Sequence, residues 1–279
     1  MQVRDFLFYW HLATYTKSYA TNNAAWEQLQ HHAGSDELDL AWLTPEQRAL
    51  WRDPALQAQA RQVWGMGPFV TRLDAAYPPR LAESFQPPAV LFYQGNWHLL
   101  TRLCLAIVGA RHAGAYTRKA LAWLRPGLMP MTVVSGLAAG ADTLAHEFAL
   151  AQGWPTVAVL ANGLDQVYPQ ANRDLQQRIA KAGLVISEYP YGVKPMPYRF
   201  VARNRLIAGL AHGVLVTEAA AHSGSLITAN LALQANREVF AVPNRVDVPL
   251  GVGTNALIQA GAKPVLRGSD IIEEMQYYP

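Results

Sequence analysis

The chain of 279 residues is 51% hydrophobic and only 15% charged, which allows one large and one small domain and excludes long disorder. Its formal charge of +3 is uneven, because residues 1–95 carry −2 and residues 96–279 carry +5, so an anionic partner is expected on the C-terminal two-thirds. The single cysteine excludes an intramolecular disulfide, and without a signal peptide or a run of about 18 apolar residues the composition predicts a soluble cytoplasmic protein.

The first part of the chain alternates helical stretches with polar breaks. Helices are predicted over residues 5–15, 22–32 and 44–64, the last with Thr44 as its N-cap and Pro45 in the first helical position. Five tryptophans supply bulky packing: Trp10, Trp26, Trp42, Trp51 and Trp64. In so small a unit they are expected in the core rather than in a ligand cage. Residues 1–62 are therefore predicted to form a small all-α domain.

Residues 63–102 have a different composition. Their prolines, in YPPRL and QPPAVLFY, exclude helix interiors, and residues 90–93 predict a short strand. We expect an extended connector that packs on the next domain.

From residue 103 to residue 279, apolar runs of strand length alternate with helical stretches. Strands are predicted over residues 104–108, 132–135, 156–160, 184–187, 213–217 and 238–242. Helices are predicted over residues 116–124, 141–151, 172–181, 202–211 and 226–235. Continuous apolar strands that alternate with helices indicate an α/β fold with a doubly wound, mostly parallel sheet buried on both faces. In such a sheet, ligands bind beyond the carboxyl ends of the strands.

Glycines and an arginine follow the first two of these strands. Gly109 and Arg111 follow the first strand, and Gly136 and Gly140 follow the second. Glycine lets a ligand approach the backbone, and arginine offers a fork of donors that matches a phosphate. The alternatives are that tight turns need glycine in any case and that Arg111 is an ordinary surface residue. Because no G-x-G-x-x-G is present, no nicotinamide or flavin cofactor is predicted, and no other cofactor is expected.

Residues 194–205 combine basic and aromatic side chains without an acid. The members of interest are Lys194, Tyr198, Arg199, Phe200, Arg203, Asn204 and Arg205. The segment is predicted to be a loop that Pro195 and Pro197 stiffen, followed by a helix. Cations that follow a sugar-phosphate backbone beside rings that stack on bases are typical of single-strand binding. A solvated charged face is the alternative.

A further anion site is predicted at Ser223, Gly224 and Ser225, before the helix that begins near residue 226. Small residues leave the N–H groups of a helix N-terminus accessible, and phosphate binds to such groups. N-capping by one of the two serines belongs to either interpretation, and capping without a phosphate is the alternative.

The acidic residues at the same strand ends favour a structural role. Glu188 and Glu218 are expected to end adjacent or nearly adjacent strands, where they either form a carboxylate pair or, as we favour, accept backbone N–H bonds. Asp142 is expected to cap a helix. The histidines lack metal-ligand spacing and no G-x-S-x-G surrounds Ser135, so neither a metal nor a catalytic residue is predicted.

These motifs, taken together, resemble the DNA-processing protein A family, also called Smf. The resemblance runs almost continuously from residue 105 to residue 265, through VGAR, VVSGLAAGAD, ANGLDQVYPQANRDL, SEYPYG, FVARNRLIAGL, VTEAAAHSGSLITA, REVFAVP and GTNALIQAGA. It implies a helical SAM-like domain followed by an extended Rossmann-like domain. It also implies a protein without catalysis that binds and protects single-stranded DNA and helps load the RecA recombinase during natural transformation.

The resemblance implies a role for individual residues as well. Gly109 and Arg111 would seat a backbone phosphate, Phe200 would stack between bases, and the cations of the F-x-x-R-N-R motif would neutralise neighbouring phosphates. A homodimer is expected through the C-terminal part of the Rossmann-like domain, at residues 255–272.

The sequence departs from the family pattern in four places. Ala139 stands where the family often has an arginine, which removes one phosphate contact, and Asn244 replaces the usual glycine after Pro243. Residues 14–19 lack the glycine of a helix-hairpin-helix turn, and the chain stops at Pro279 without the winged-helix domain of many members.

The alternative function is that of a nucleotide-processing, phosphoribohydrolase-like Rossmann enzyme. Ser223, Gly224, Ser225 and Glu218 are only a loose echo of such a site, because the P-G-G-x-G-T-x-x-E motif of those enzymes is absent.

Overall fold

A computed structural model describes residues 2–32, 35 and 37–275 of the chain. Residues 1, 33, 34 and 36 of the predicted helical domain and residues 276–279 of the predicted Rossmann-like domain lie outside the described residues. No helix within the described part of the chain is long and apolar enough to cross a membrane.

The N-terminal region is helical, as predicted. Its α-helices are α1 (Val3–Thr14), α2 (Tyr19–Leu29), α3 (Pro45–Trp51) and α4 (Pro54–Trp64). The prediction of one helix over residues 44–64 is wrong, because α3 ends at Trp51 with Arg52 as its C-cap and Asp53 caps a second helix. The Asp53 carboxylate accepts hydrogen bonds from the N–H groups of Ala55 and Leu56. Pro54 takes the first helical position, where its missing N–H has no consequence.

The tryptophans of this region pack against one another and against phenylalanines. Trp10 is buried, and the Trp51 ring lies 5.6 Å from the Phe6 ring. Trp64 is 39% exposed, yet its ring packs edge-on against Phe8 at 5.1 Å. Trp10 thus lies in the core as predicted, and Trp26, Trp42 and Trp51 are partly buried against it, whereas Trp64 is exposed.

Residues 63–102 are built into the main sheet. The segment forms β1 (Phe69–Thr71), α5 (Pro79–Ala82) and β2 (Val90–Gly95). Strand β2 pairs with β1 on one side and with a strand of the later sequence on the other, antiparallel in both cases. One apolar cluster contains Phe8, Phe92 and Leu160, which belong to the three different predicted domains. The predicted boundaries at residues 62 and 102 therefore stay predictions.

The rest of the described chain alternates strands and helices. The strands are β3 (Cys104–Val108), β4 (Thr132–Ser135), β5 (Thr156–Leu160), β6 (Leu184–Ser187), β7 (Gly213–Val216), β8 (Glu238–Ala241) and β9 (Lys263–Pro264). The helices are α6 (Ala115–Leu124), α7 (Ala141–Ala151), α8 (Arg173–Ala182), α9 (Pro197–Leu210), α10 (Gly224–Gln234), α11 (Val252–Gln259) and α12 (Ser269–Met275).

The nine strands of the described residues form one sheet in the order β1-β2-β6-β5-β4-β3-β7-β8-β9. In this order, all neighbouring strands from β6 through β5, β4, β3, β7 and β8 to β9 pair in parallel. At the other edge, β2 pairs antiparallel with β6 and with β1. The predicted α/β fold with a mostly parallel, Rossmann-like sheet is confirmed, as is the helical region that precedes it.

Both faces of the sheet are covered, which explains the continuous apolar strands. Ala106 and Val108 of β3 face the cluster that contains α9 and α10 residues, whereas Leu105 and Ile107 face the cluster of α6, α7 and α12 residues. Successive side chains of a strand point to opposite faces, so a strand covered on both sides must be apolar throughout. Cys104 begins β3 and is buried, which raises the pKa of its thiol to about 11.

Only residues 194–196 of the basic-aromatic segment lie in a loop. Helix α9 begins at Pro197, whereas the predicted helix begins at residue 202. Phe200, Arg203, Asn204 and Arg205 therefore lie on a helix, which fixes which of them face solvent and which face the sheet.

Candidate functional site

An open groove lies at the carboxyl ends of β3 and β7, which are neighbours in the sheet. It has a volume of about 690 Å³ and lies between the loop after β3, the N-terminal half of α9 and the loop before α10. Most of the predicted site residues line it: Gly109, Arg111, Phe200, Arg203, Asn204, Ser223, Gly224 and Ser225. We call this surface the strand-exit groove.

Arg111 and Phe200 lie together in the groove. The exposed guanidinium of Arg111 is 5.4 Å from the centre of the Phe200 ring, within the range of a cation–π contact. The Tyr168 ring lies 5.0 Å from Phe200. Arg111 forms no ion pair with any residue that the structure describes. A free cation beside a partly exposed ring is thus available to a ligand.

The glycines after β3 and β4 act by close packing. A Cβ at Gly109 would lie 2.7 Å from the Cβ of Ala141, and one at Gly140 would lie 2.4 Å from the carbonyl oxygen of Ala110. Gly140 also has φ of +75°, which favours glycine. The two glycines let the loop that carries Arg111 lie directly against the start of α7.

Arg203 is predicted to contact DNA, but the structure places it in the interior. It is 3% exposed, and its guanidinium donates to the carbonyl oxygens of Gly136 and, at 2.6 Å, of Val159. Burial lowers the pKa of Arg203, although the charge of Asp142 partly restores it. A Cβ at Gly136 would lie 2.0 Å from an Arg203 nitrogen, so this glycine makes room for the arginine.

Asp142 binds the backbone of the loop between β4 and α7 through its buried carboxylate. Its carboxylate accepts hydrogen bonds from the N–H groups of Gly136 at 3.1 Å and Ala138 at 3.3 Å. Burial raises its pKa, against the opposing effect of the Arg203 charge. Asp142 is not the N-cap of α7, which is Gly140; its carboxylate lies in the first turn and binds loop N–H groups just before the helix.

Arg205 is engaged as well, in a bidentate ion pair. Its two terminal nitrogens lie 2.8 and 2.6 Å from the carboxylate oxygens of Glu188, and both side chains are nearly buried, at 10% and 12% exposure. Burial works against the charge of Arg205, but Glu188 outweighs it and raises the pKa. The imidazole of His11 bonds the carbonyl oxygen of Glu188 at 2.8 Å and so ties α1 to this pair.

Arg199 and Lys194 lie outside the groove. Arg199 is 8% exposed, donates to the carbonyl of Lys194 and lies 5.0 Å above the Tyr189 ring. The Lys194 side chain is exposed. Of the five predicted cations, Arg111 and Lys194 therefore face solvent, whereas Arg199, Arg203 and Arg205 bind other parts of the protein.

The N-terminus of α10 forms the opposite wall of the groove. Ser223 is its N-cap and accepts a hydrogen bond from the N–H of Ser225 at 3.4 Å. Asn204 of α9 donates to the carbonyl of Gly224 at 3.3 Å, which fixes the two helices together. A Cβ at Gly224 would meet no atom within 4 Å, so this helix N-terminus is open. Its positive dipole end faces the groove that holds Arg111.

The expectation that Glu188 and Glu218 end adjacent strands is wrong. Glu188 follows β6 and Glu218 follows β7, and β5, β4 and β3 lie between those two strands. Glu218 accepts backbone N–H bonds, as predicted, from Thr117 at 3.2 Å and Gly114 at 3.4 Å, and it also binds the Thr117 hydroxyl at 2.8 Å. The carboxylate of Glu188 binds the Arg205 guanidinium and not backbone N–H groups. Within the described residues, no group of three or more His, Cys, Asp or Glu side chains could hold a metal ion.

Sequence reasoning missed Tyr168, His112 and His222. Tyr168 packs on Phe200, and the two exposed histidines line the groove. Each follows the carboxyl end of a parallel strand, so the rule that located the groove could also have found them.

Fold and groove together define a class: a Rossmann-like α/β protein with an open groove, lined by an exposed arginine and a helix N-terminus, beyond the ends of its parallel strands. Residues 68–276 match the family model of DNA recombination-mediator protein A. The chain belongs to this family, as the motifs of the sequence suggest.

Curated relatives and solved structures agree with this assignment. The chain is 44% identical over 211 residues to DNA processing protein DprA of Streptococcus pneumoniae, covering 75% of each chain. It is 43% identical over 220 residues to the protein Smf of Synechocystis, covering 76% of this chain and 54% of that protein.

Among solved structures, the X-ray structure of DprA from Streptococcus pneumoniae has a TM-score of 0.80 and 38% identity, covering 89% of this chain and 91% of that one. A structure of DNA processing protein A from Helicobacter pylori, which concerns the single-stranded DNA binding mode of that protein, has a TM-score of 0.66 and 30% identity. The match covers 76% of this chain and 97% of the Helicobacter chain.

Proposed function

We propose that this protein binds and protects single-stranded DNA, and that it helps load RecA onto the strand during natural transformation. One observation carries the proposal: Arg111, the Phe200 ring and the open N-terminus of α10 line the same groove. The arginine and the helix N-terminus suit phosphates, and the ring suits an unpaired base. The Helicobacter relative, whose structure concerns single-stranded DNA binding, supports this reading.

The predicted site residues divide into two groups in this proposal. Those with accessible groups touch the strand: Arg111, Phe200, Asn204, Ser223 and Gly224, which line the groove, and Lys194, which lies outside it. Those that are buried or closely packed support the groove and the helices beside it: Gly109, Gly136, Gly140, Arg199, Arg203, Arg205 and Ser225. The reason for the division is burial, because the guanidinium groups of Arg203 and Arg205 keep further N–H donors but the surrounding protein covers them.

We propose a binding function without catalysis. Acidic residues that follow the parallel strands bind protein groups: Asp142 binds loop N–H groups, Glu188 binds Arg205, and Glu218 binds Thr117. A general acid or base would need its carboxyl group within hydrogen-bond reach of a substrate.

We further propose a cytoplasmic homodimer that pairs through residues 255–272. Leu266 in this segment is 67% exposed, and the neighbouring Trp123, 75% exposed, donates to its carbonyl at 3.0 Å. Large exposed apolar side chains that lie side by side are typical of protein interfaces. Cys104 would stay a thiol in the reducing cytoplasm, in keeping with its burial.

Fluorescence anisotropy with labelled oligothymidylate tests the binding step. Arg111→Ala should lower the affinity about fivefold or more, as expected for a charge-assisted phosphate contact. The matched control is Arg102→Ala. Arg102 is also exposed, but it precedes β3 and so lies at the amino end of the strand, away from the groove at the carboxyl end. Equal affinities for the two variants would refute the proposed phosphate site.

A second assay tests the finer function. Purified protein is added to single-stranded DNA covered by a single-strand binding protein, and RecA filament growth is followed. The wild type should accelerate filament growth and Arg111→Ala should not. Normal DNA affinity with no effect on RecA would limit the function to strand binding and protection.

A further inference from the structure

A second cavity, of about 380 Å³, lies on the other side of α9 from the strand-exit groove. It is enclosed by the corner between α1 and α2, by the loop before β2 and by α9 itself. Five tyrosine and phenylalanine side chains line it: Tyr15, Tyr19, Phe85, Tyr189 and Tyr198. We call it the α1–α2 cavity. Its size is within the range of pockets that hold small organic groups.

The cavity has exposed rings at its opening and a charged floor. Tyr198 is 59% exposed and Phe85 is 51% exposed. The bidentate pair of Arg205 and Glu188 forms part of the floor, and the exposed ammonium group of Lys17 lies at the rim. Rings that offer a free face bind the flat surface of a nucleobase, and a lysine at the rim suits a phosphate.

The cavity and the groove adjoin on α9. Val201 of α9 lines both of them and is 51% exposed between them. Phe200 and Tyr198 are two positions apart on a helix with 3.6 residues per turn, so they point to opposite sides of α9. The Phe200 side chain lines the groove, and the Tyr198 side chain lines the cavity.

The Tyr198 ring is held in place. The guanidinium of Arg199 lies 5.4 Å from its centre and 5.0 Å from the centre of the Tyr189 ring, between the two tyrosines. Arg199 is itself anchored by the carbonyl of Lys194. A ring that is held in position loses less conformational entropy when a base stacks on it.

We propose that the α1–α2 cavity is a second base-binding subsite for the same unpaired DNA strand. The strand would leave the groove at Phe200, pass over Val201 and place a further base against Tyr198, with Lys17 next to the following phosphate. This proposal rests on the proposed function, since it extends the path of the strand that the groove holds. It assigns a DNA contact to the N-terminal helical region.

The test is anisotropy with a series of oligothymidylates of increasing length. The shortest should need only the groove, and longer ones should gain affinity when they reach the cavity. Tyr198→Ala should lower the affinity for the longest oligonucleotide about fivefold or more and leave that for the shortest unchanged. Tyr198→Phe keeps the ring and should bind like the wild type.

A pair of lysine variants tests the path of the backbone. Lys17→Ala should weaken binding of the long oligonucleotide and reduce its salt dependence by about 0.7 in the slope of log K against log salt concentration, as for one phosphate contact. Lys181→Ala is the matched control, because this exposed lysine precedes β6 and so lies near the amino ends of the parallel strands, away from the groove. It should have no effect.

The outcomes separate the two proposals. If no oligonucleotide binds, the proposed function itself fails. If Arg111→Ala weakens binding and Tyr198→Ala matches the wild type at every length, the groove acts alone and the second subsite is refuted. If Tyr198→Ala impairs only RecA loading, with all DNA affinities intact, the cavity serves a protein partner and the subsite is again refuted.

Discussion

Replacing Arg203 with methionine separates a phosphate contact from a structural role for this side chain. Methionine fills much of the space but offers no donor, so the carbonyl oxygens of Gly136 and Val159 lose their partner. Each buried acceptor left unpaired costs about 1–3 kcal/mol. Asp142 also loses the charge that lowers its pKa. We therefore expect a loss of about 4 kcal/mol, within the range of about 3–5 kcal/mol seen when one member of a buried charged pair is removed.

The free energy of unfolding is measured by urea titration, followed through the fluorescence of the eight tryptophans. A loss of about 4 kcal/mol should also lower the melting temperature by on the order of 10 °C. The control is Arg102→Met, an exposed arginine whose replacement should change stability by no more than about 0.5 kcal/mol. If Arg203→Met unfolds like the wild type but binds single-stranded DNA ten times more weakly, Arg203 contacts the strand and the reasoning is refuted.

Two further predictions concern buried and tightly packed residues around the same strands. Burial lowers the pKa of His146 to about 3, below the usual 6.5, so as the pH falls the unfolded chain takes up a proton before the folded chain does. The folded state should lose about 2 kcal/mol on this account between pH 7 and pH 5. In urea titrations at pH 7 and pH 5, the free energy of unfolding of His146→Gln should fall by about 2 kcal/mol less than that of the wild type. If it falls equally in the wild type and the variant, His146 does not stay neutral in the folded protein. Gly140→Ala should displace the loop that carries Arg111, because its Cβ would lie 2.4 Å from a carbonyl oxygen, and should weaken both stability and DNA affinity. The control is Gly153→Ala, because Gly153 has a φ of +66° but its added Cβ would meet no atom within 4 Å. This substitution should lower the free energy of unfolding by about 1 kcal/mol and leave DNA affinity unchanged. If Gly153→Ala weakened DNA binding more than Gly140→Ala, the packing argument would be contradicted.

Much of the sheet could be predicted because its strands are buried on both faces. The predicted bounds 104–108 and 156–160 agree with β3 and β5, since a fully apolar run stops where the chain leaves the core. The position of the groove followed from the same pattern. In a parallel sheet the carboxyl ends of all strands lie on the same side, so Gly109 and Ser223 could be placed at the same end of the sheet from the sequence alone.

The direction of the arginines could not be predicted without the true start of α9. Once the helix begins at Pro197, Phe200, Arg203 and Ile207 fall on one face, at the spacing of successive helical turns. Arg203 then points toward the sheet. Phe200 has no fixed direction in a predicted loop, and the predicted helix over residues 202–211 contains Arg203 but does not show which of its faces packs on the sheet.

The partners of the two glutamates depend on the order of strands, which composition does not encode. Glu188 and Arg205 are 17 positions apart and meet because α9 packs back across the end of β6. Glu218 meets Thr117 because β7 lies beside β3, which is the strand that leads into α6. Crossover connections bring distant segments together, and their arrangement follows from packing over the whole sheet.

The central claim is that the strand-exit groove holds the sugar-phosphate backbone of unpaired DNA through Arg111. It is tested most directly by the slope of log K against log salt concentration for oligothymidylate binding. We expect a steep negative slope for the wild type and for Arg102→Ala, and a slope smaller by about 0.7 for Arg111→Ala. An unchanged slope in Arg111→Ala, or binding of the wild-type protein that does not respond to salt, would contradict the account.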